Sequence, residues 1–254
     1  MSLRLEKQGA VAHLLIDRAE KRNAFTQAMW EEFPLLLGEA MADETIKVML
    51  LRSATAGTFC AGADIAEFGV GALDPEWRAK NQAAIGHAQY ELVRAEKPVI
   101  AAIDGDCVGG GCGLSIACDL RVASSRARFG ITPAKLGLVY SLHDTKLLVD
   151  LVGPAQAKRI LFTAQLLPAD EAQRIGLIEI LDDDPVTAAV SLAETIAAAS
   201  SHSVRNTKRI VRRILDGQAD DDAETQALFG AAFLGEDFQE GVSAFLEKRR
   251  AVFK

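Results

Sequence analysis

Two glycine-rich segments carry most of what could do chemistry in this chain. The first is Gly57-Thr58-Phe59-Cys60-Ala61-Gly62-Ala63-Asp64-Ile65, and it follows the short apolar run 48–52. The second, Gly105-Asp106-Cys107-Val108-Gly109-Gly110-Gly111-Cys112-Gly113, lies between the apolar run 98–104 and another apolar stretch. Three successive glycines let a ligand or a second backbone come close to the main chain. A helix beginning near Gly110 would aim unpaired N–H groups outward, and its dipole would add roughly half a positive charge there. Such an end stabilises an oxyanion without a cationic side chain. The plainer reading is that the glycines only permit tight strand–helix packing. Both segments follow strands, and ligands gather at the carboxyl ends of strands in α/β sheets, which favours a site.

Other motifs fit less well. The second segment lacks the G-x-G-x-x-G spacing of a dinucleotide fold and the lysine of a phosphate-binding loop. Gly113-Leu114-Ser115-Ile116-Ala117 has part of a nucleophile elbow, but Ser115 falls inside the expected helix rather than on a sharp turn. Further candidates are Tyr140 and His143-Asp144. An imidazole titrates near neutral pH, whereas Asp144 could simply complement a helix N-terminus and Tyr140 could be a half-buried aromatic. His13, His87 and His202 have no partner visible in sequence and read as structural. Lys135 is either a solvated charge or a phosphate contact.

The elements that must hold these residues alternate in the first half. Residues 3–7, 11–17, 48–52, 98–104, 120–124 and 127–131 read as strands. The helical pattern after Thr26 contains Pro34, which predicts a kink, and 75–96 reads as a long helix. Residues 69–74 read as a mobile, Gly-rich segment. Beyond Pro133 the pattern is almost wholly helical: 141–152, 154–163, 169–175, 185–199, 204–215, 221–234 and 237–250, the last opening on an Asp237/Glu240 capping box. This order predicts an α/β fold with buried strands and a separate helical layer suited to subunit contacts.

The 254 residues allow one large domain with a sizeable core. A net charge of −7 disfavours nonspecific nucleic-acid binding. No apolar stretch approaches the roughly 20 residues of a membrane helix, and the N-terminus lacks a signal-peptide core. Cys60, Cys107, Cys112 and Cys118 form no CxxC pair, so they read as buried thiols of a cytoplasmic protein, with no metal site.

Lys21-Arg22-Asn23-Ala24, the segment Phe59 through Ile65, and the run 97–119 resemble signatures of the crotonase (enoyl-CoA hydratase/isomerase) superfamily. The likeness continues through Gly153-Pro154 and 169–177 to Phe245-Leu246-Glu247-Lys248-Arg249, nearly the whole chain in order. The resemblance implies a crotonase/Clp protease-like α/β fold, with a ββα superhelix core and a helical C-terminal trimerisation region. Residues 1–200 would form the core domain with the acyl-CoA site, and 201–254 the helical region for subunit and coenzyme A contacts. It implies a small-molecule coenzyme A thioester as substrate, no separate cofactor, and a homotrimer or a hexamer of paired trimers. It places oxyanion donors on the N–H groups of Ala63 and Gly110. Coenzyme A contacts would come from around Arg22, Ala24, Ala61, Asp64, Ile65 and Gly109, with Phe245 and Lys248 supplied by a neighbouring subunit.

The reaction depends on the side chains around those donors rather than on the fold. Hydratases of the superfamily resemble one another in two glutamates; the matching positions here are Gly113 and Ala134. Isomerases and dehalogenases often carry an acid at the position of Ser141. General acid–base catalysis needs a titratable group in reach, so two-glutamate hydration is disfavoured. The segment 132–140 is similar to methylmalonyl-CoA decarboxylases, which have a tyrosine at Tyr140. It departs from them in having Ala63 for a histidine and Gly113 for an acid. Decarboxylation forms the enolate without a base, and Tyr140 and His143, with Leu138 nearby, could meet the acyl group. Hydration or double-bond isomerisation with an unusual acid/base, and a non-catalytic binding or assembly protein of the same fold, are the alternatives.

Overall fold

The computed structural model describes residues 2–253. It opens with β1 (Leu3–Gln8), β2 (Val11–Ile16), α1 (Gln27–Ala42), β3 (Val48–Ser53), β4 (Thr58–Cys60), α2 (Ile65–Gly71) and α3 (Pro75–Val93). There follow β5 (Val99–Ile103), β6 (Asp106–Val108), α4 (Gly110–Ala117), β7 (Leu120–Ala123), β8 (Arg128–Gly130) and α5 (Leu142–Thr163). The remainder comprises β9 (Leu167–Pro168), α6 (Ala169–Arg174), β10 (Ile180–Leu181), α7 (Pro185–Ala197), α8 (Ser201–Leu215), α9 (Ala223–Ala232) and α10 (Glu236–Glu247).

The strands sort into two sheets, one of order β1-β2-β3-β5-β7-β10 and one of order β4-β6-β8-β9. β3, β5 and β7 lie side by side and parallel in the first, and β4, β6 and β8 do so in the second. The chain therefore lays one strand in each sheet before each of α3, α4 and α5, which is a ββα superhelix. Period-two alternation shows in the packing. Val48, Leu50, Ile100, Ala102 and Val122 face Ala189 and Ala193 of α7, while Met49, Leu51, Val99, Ala101 and Ile103 face the main core with α1, α3 and α4. This is why 98–103 is apolar at every position.

Several expectations need correction. α1 passes through Pro34 without a break; the ring forfeits one bond to the carbonyl four residues back, and tertiary packing of Trp30, Phe33 and Leu37 outweighs that loss. The region past Pro133 includes two short strands, because β9 and β10 complete sheet edges with β8 and β7. The helices expected at 141–152 and 154–163 are continuous but for Gly153, whose φ of 74° breaks the helical geometry between them. Asp237 and Glu240 form no capping box. Gly235 caps α10; Asp237 accepts from Ser200 Oγ, and Glu240 binds Arg249 and the Val252 N–H. The capping box belongs to Asp222 and Thr225 at α9. Residues 69–71 are the end of α2, with Phe68 edge-on to Trp77 at 5.5 Å.

Gly105 sets how the two sheets meet. Its φ is +79°, and a Cβ there would lie 1.9 Å from the Gly57 carbonyl oxygen. Gly105→Ala is expected to cost about 2–5 kcal/mol, from backbone strain plus a clash with main chain that cannot rotate away. A melting temperature within one degree of the parent would refute this.

Candidate active site

Asn23 builds the first loop. It sits at φ 56°, and its Nδ2 donates to Ser53 Oγ at 2.8 Å and to the Thr58 and Phe59 carbonyls at 3.0 Å each. Its Oδ1 accepts from the Arg18 N–H at 3.0 Å. One fully buried amide thus ties the Lys21–Ala24 turn to β3 and β4. The Ala61 N–H then donates to the Arg22 carbonyl, the Phe25 N–H to the Gly62 carbonyl, and the Asp64 N–H to the Phe25 carbonyl. This is a one-residue parallel bridge between Phe25 and Ala63. In such a bridge the peptide groups flanking Ala63 bond to Phe25, so the N–H of Ala63 itself points to the opposite side.

That opposite side is the start of α4. The Gly109 N–H donates to the Gly130 carbonyl at 2.8 Å, and Gly109 caps α4 at φ 56° and ψ −122°. Gly110 is the first helical residue, where an N–H has no intrahelical acceptor. A Cβ on Gly62 would lie 3.1 Å from the Gly110 nitrogen, and a Cβ on Gly110 would lie 3.7 Å from the Ala63 nitrogen. Among the described residues neither N–H has an acceptor. The two donors are neighbours, partly exposed, at the positive end of a helix dipole. Trp30 packs beneath Gly110, with Phe25 against it at 4.5 Å between ring centroids.

Gly113 lies one turn along α4 on the same face as Gly110. A Cβ there would meet the Gln89 amide at 2.3 Å and the Tyr140 hydroxyl at 3.2 Å. The space above this glycine is thus filled from α3 and from the turn before α5. The Tyr140 hydroxyl is buried and has no hydrogen-bond partner among the described residues. Burial, and next the nearby Asp144 charge, push its pKa up. Gln89, 1% exposed, turns its amide nitrogen to the Asp144 carboxylate, donating to Oδ2 at 3.0 Å and also to Oδ1. Asp144 is buried as well, and this desolvation raises its pKa, with Ser141 and His143 pulling the other way. The His143 Nδ1 lies 3.2 Å from Asp144 Oδ1.

The other sequence candidates fall as follows. Ala134 lies exposed on a short 3-10 turn (Pro133–Leu136), and Leu138 and Ser141 are exposed nearby. Ser141 caps α5 by accepting from the Asp144 N–H. The Asp64 carboxylate is engaged by Arg18 at 2.7 Å and by the Ala66 and Glu67 N–H groups, which hold its pKa low, the Arg18 bond being the largest cause. Arg22 is exposed and bonds Asp106, which Arg128 also holds at 2.7 Å. Ala24 is buried, Ala61 partly exposed and Ile65 exposed. Phe245 and Lys248, exposed, are on or just past α10. Ser115 is buried inside α4 and donates to the Cys112 carbonyl, so it is no nucleophile elbow. Gln89 is a site residue that the sequence reading lacks, and Asp144 is a candidate there only beside His143. Gln89 had no signal beyond a helical pattern, and Asp144 read as a dipole complement. All four cysteines are free and buried, and no described helix is long and apolar enough to cross a membrane.

Residues 6–254 match the family model described as enoyl-CoA hydratase/isomerase. A short-chain-enoyl-CoA hydratase of Clostridium acetobutylicum is 35% identical, covering 97% of this chain and 95% of that protein. A crotonyl-CoA hydratase of Syntrophomonas wolfei is 34% identical over 98% and 96% respectively. A solved enoyl-CoA hydratase/isomerase family protein from Hyphomonas neptunium superposes with a TM-score of 0.97 at 43% identity, covering 100% and 98%. With two sheets, a ββα core and paired glycine loops of this kind, the chain belongs to the enoyl-CoA hydratase/isomerase family, the crotonase superfamily.

Amides without protein acceptors exchange with solvent faster than bonded neighbours. Hydrogen exchange at Ala63 and Gly110 is expected to be at least about tenfold faster than at Phe25, Asp64 and Gly109. Strong protection of either would mean that its N–H is already engaged.

Proposed function

We propose that this protein processes a coenzyme A thioester by holding its carbonyl oxygen on the N–H groups of Ala63 and Gly110. The supporting observation is that the two donors are adjacent and lack acceptors. Charge moving onto the thioester oxygen as an enolate forms would be met by both. One donor of this type is worth about 3–4 kcal/mol of barrier. Coenzyme A would lie along the first loop, past Arg22, Ala24, Ala61, Asp64, Ile65 and Gly109. Asp64 takes part by fixing the loop, its carboxylate and its backbone N–H both being engaged within the protein. The region 201–254 would bring Phe245 and Lys248 to a neighbouring subunit. The exposed apolar side chains Phe229, Phe233, Leu234 and Leu246 support assembly as a trimer or paired trimers. No separate cofactor is required, and the setting is cytoplasmic.

The preferred substrate is of the malonyl- or methylmalonyl-CoA type, undergoing decarboxylation. Where hydratases of the family resemble one another in a glutamate, Gly113 stands beneath Gln89 and the Tyr140 hydroxyl. A buried, unpartnered hydroxyl can orient a substrate carboxylate by donating to it, whereas an ionised acid there would repel it. Ser141, Ala134 and Leu138 border the acyl group, and His143 reaches it from the start of α5. Hydration or isomerisation of an enoyl-CoA is the second reading, favoured by the names of the relatives.

Calorimetric titration with acetyl-CoA should show binding; none at millimolar ligand would sink the whole assignment, in favour of a non-catalytic role. Mass spectrometry after incubation with methylmalonyl-CoA and with crotonyl-CoA separates the reactions. Carbon dioxide loss that falls by about 100-fold in Tyr140→Phe is the expected result. Unchanged turnover in that variant removes Tyr140 from the mechanism, and robust crotonyl-CoA hydration selects the second reading.

A further inference from the structure

The acids absent at Gly113 and Ala134 leave the proton transfers of an enolate without an owner, and the structure supplies one from a different element. We infer that Asp144 is the proton-exchanging group of this site, delivered from the first turn of α5 and tuned by Gln89. The inference rests on the thioester-enolate reading above.

Three observations carry it. Asp144 is 5% exposed yet is a carboxyl group, and the basic side chain nearest it is the part-exposed His143 ring, with Nδ1 3.2 Å from Oδ1. A carboxylate needed only to complement the helix end could do so from the surface without the cost of desolvation. Second, Asp144 stands one amide group away from the face of α4 that bears the Gly110 N–H. Gln89 touches the Gly113 position with one end of its amide and both Asp144 oxygens with the other. Third, an amide suits a group that changes protonation. Its N–H donates to the carboxylate, and after a half-turn its oxygen accepts from the carboxylic acid O–H. Gln89 therefore satisfies Asp144 in either state without a change of backbone.

The groups around Asp144 are few. The Tyr140, Ser141 and His143 side chains come from its own turn, and Gln89 from α3, where Tyr90 lies 6.4 Å from the His143 ring. The Cys112 and Cys107 thiols lie beneath Tyr140. Burial raises the Asp144 pKa, toward the range where a carboxyl group exchanges protons near neutrality. A substrate carboxylate nearby would raise it further, so the acid would stay neutral beside that charge.

In decarboxylation, the bond from the α-carbon to the carboxylate breaks and carbon dioxide leaves. Its electron pair enters the enolate held by Ala63 and Gly110. The Asp144 O–H bond then breaks as its proton joins the α-carbon, and the carboxylate recovers a proton from water. Run in reverse on a saturated thioester, the Asp144 carboxylate takes an α-proton and the same enolate forms.

That reverse step gives a test independent of the physiological substrate. Acetyl-CoA is incubated with the enzyme in deuterium oxide, and deuterium at the α-carbon is followed by mass spectrometry, with affinity measured in parallel. The parent should exchange, at a rate that rises with pH through the Asp144 pKa and then levels. Asp144→Asn should lower exchange by at least about 100-fold while changing affinity less than threefold. Gln89→Leu removes both the donor to the charged form and the acceptor for the neutral acid; the charge-assisted bond is the stronger of the two, so the acid limb should move to higher pH. Exchange within threefold of the parent in Asp144→Asn would overturn the inference, as would a parent that binds acetyl-CoA without exchanging. If Asp144→Asn does not fold, the Gln89→Leu profile decides: an unmoved limb overturns the inference. Failure of the parent to bind acetyl-CoA is a different result, and it removes the function as well.

Discussion

The site depends on two stretches of main chain lying nearly in contact. The Gly62 and Gly110 backbones approach so closely that a methyl group on Gly62 would press on the Val108 carbonyl at 2.9 Å and the Gly110 nitrogen at 3.1 Å. Gly111 is as constrained from below, since its Cβ would fall 2.4 Å from the Cys60 carbonyl oxygen. Packing at this distance is available only to glycine. It brings two peptide N–H groups that lack acceptors among the described residues side by side, and the fold must hold both loops in place. β4 and β6 fix their stems side by side, Asn23 pins the first loop from outside, and the Gly109–Gly130 bond pins the second.

A second consequence follows from the missing side chain at Gly113. Its absence is not left as a void; Gln89 and Tyr140 converge on it from two other elements. The replacement differs in kind from a glutamate on α4. A side chain on α4 is carried by the same helix as the Gly110 N–H, whereas Tyr140 and Asp144 belong to the turn that opens α5. That turn carries exposed Leu136, Leu138, Val139 and Leu142. Proton transfer in this protein would then be coupled to whatever settles on those apolar side chains, while oxyanion binding would not. Stability opposes such a site, because burying a carboxyl group and leaving the buried Tyr140 hydroxyl without a partner are both costly.

Local signals carried much of this into the sequence. Apolar continuity over 98–103 marked a central strand because both its faces are covered. Thr26 marked the start of α1 because its hydroxyl accepts from the Met29 N–H. The glycine runs marked the loops, since few other roles require three in succession. Signals that depend on tertiary partners were not legible. Pro34 reads as a helix breaker until the packing of α1 is known. Asp237 and Glu240 have capping-box spacing, yet Ser200 and Arg249 claim them. Asp144 has the position of a dipole complement, and only the arrival of Gln89 from 55 residues earlier makes it a buried acid. No periodicity encodes that meeting.

The charge pattern around the first loop bears on how a polyanion could be held by an acidic protein. Asp106 sits between Arg22 and Arg128, and its pKa is held low chiefly by the Arg128 bond and then by the charge of Arg22. Both guanidiniums remain largely exposed, at 63% and 56%. One carboxylate against two cations leaves a single net positive charge, so attraction over distance is small against a net charge of −7. Asp106 fixes where the guanidiniums point, because paired donors have fewer directions left for a ligand. Arg18 is directed in the same way by Asp64, although there the pair is mostly covered, and Arg18 also donates to the Ala24 carbonyl. Recognition along this loop would thus come from backbone amides and aimed donors at short range. Its affinity should therefore depend less on salt than that of a site built from free lysines, since few long-range charges are there to be screened.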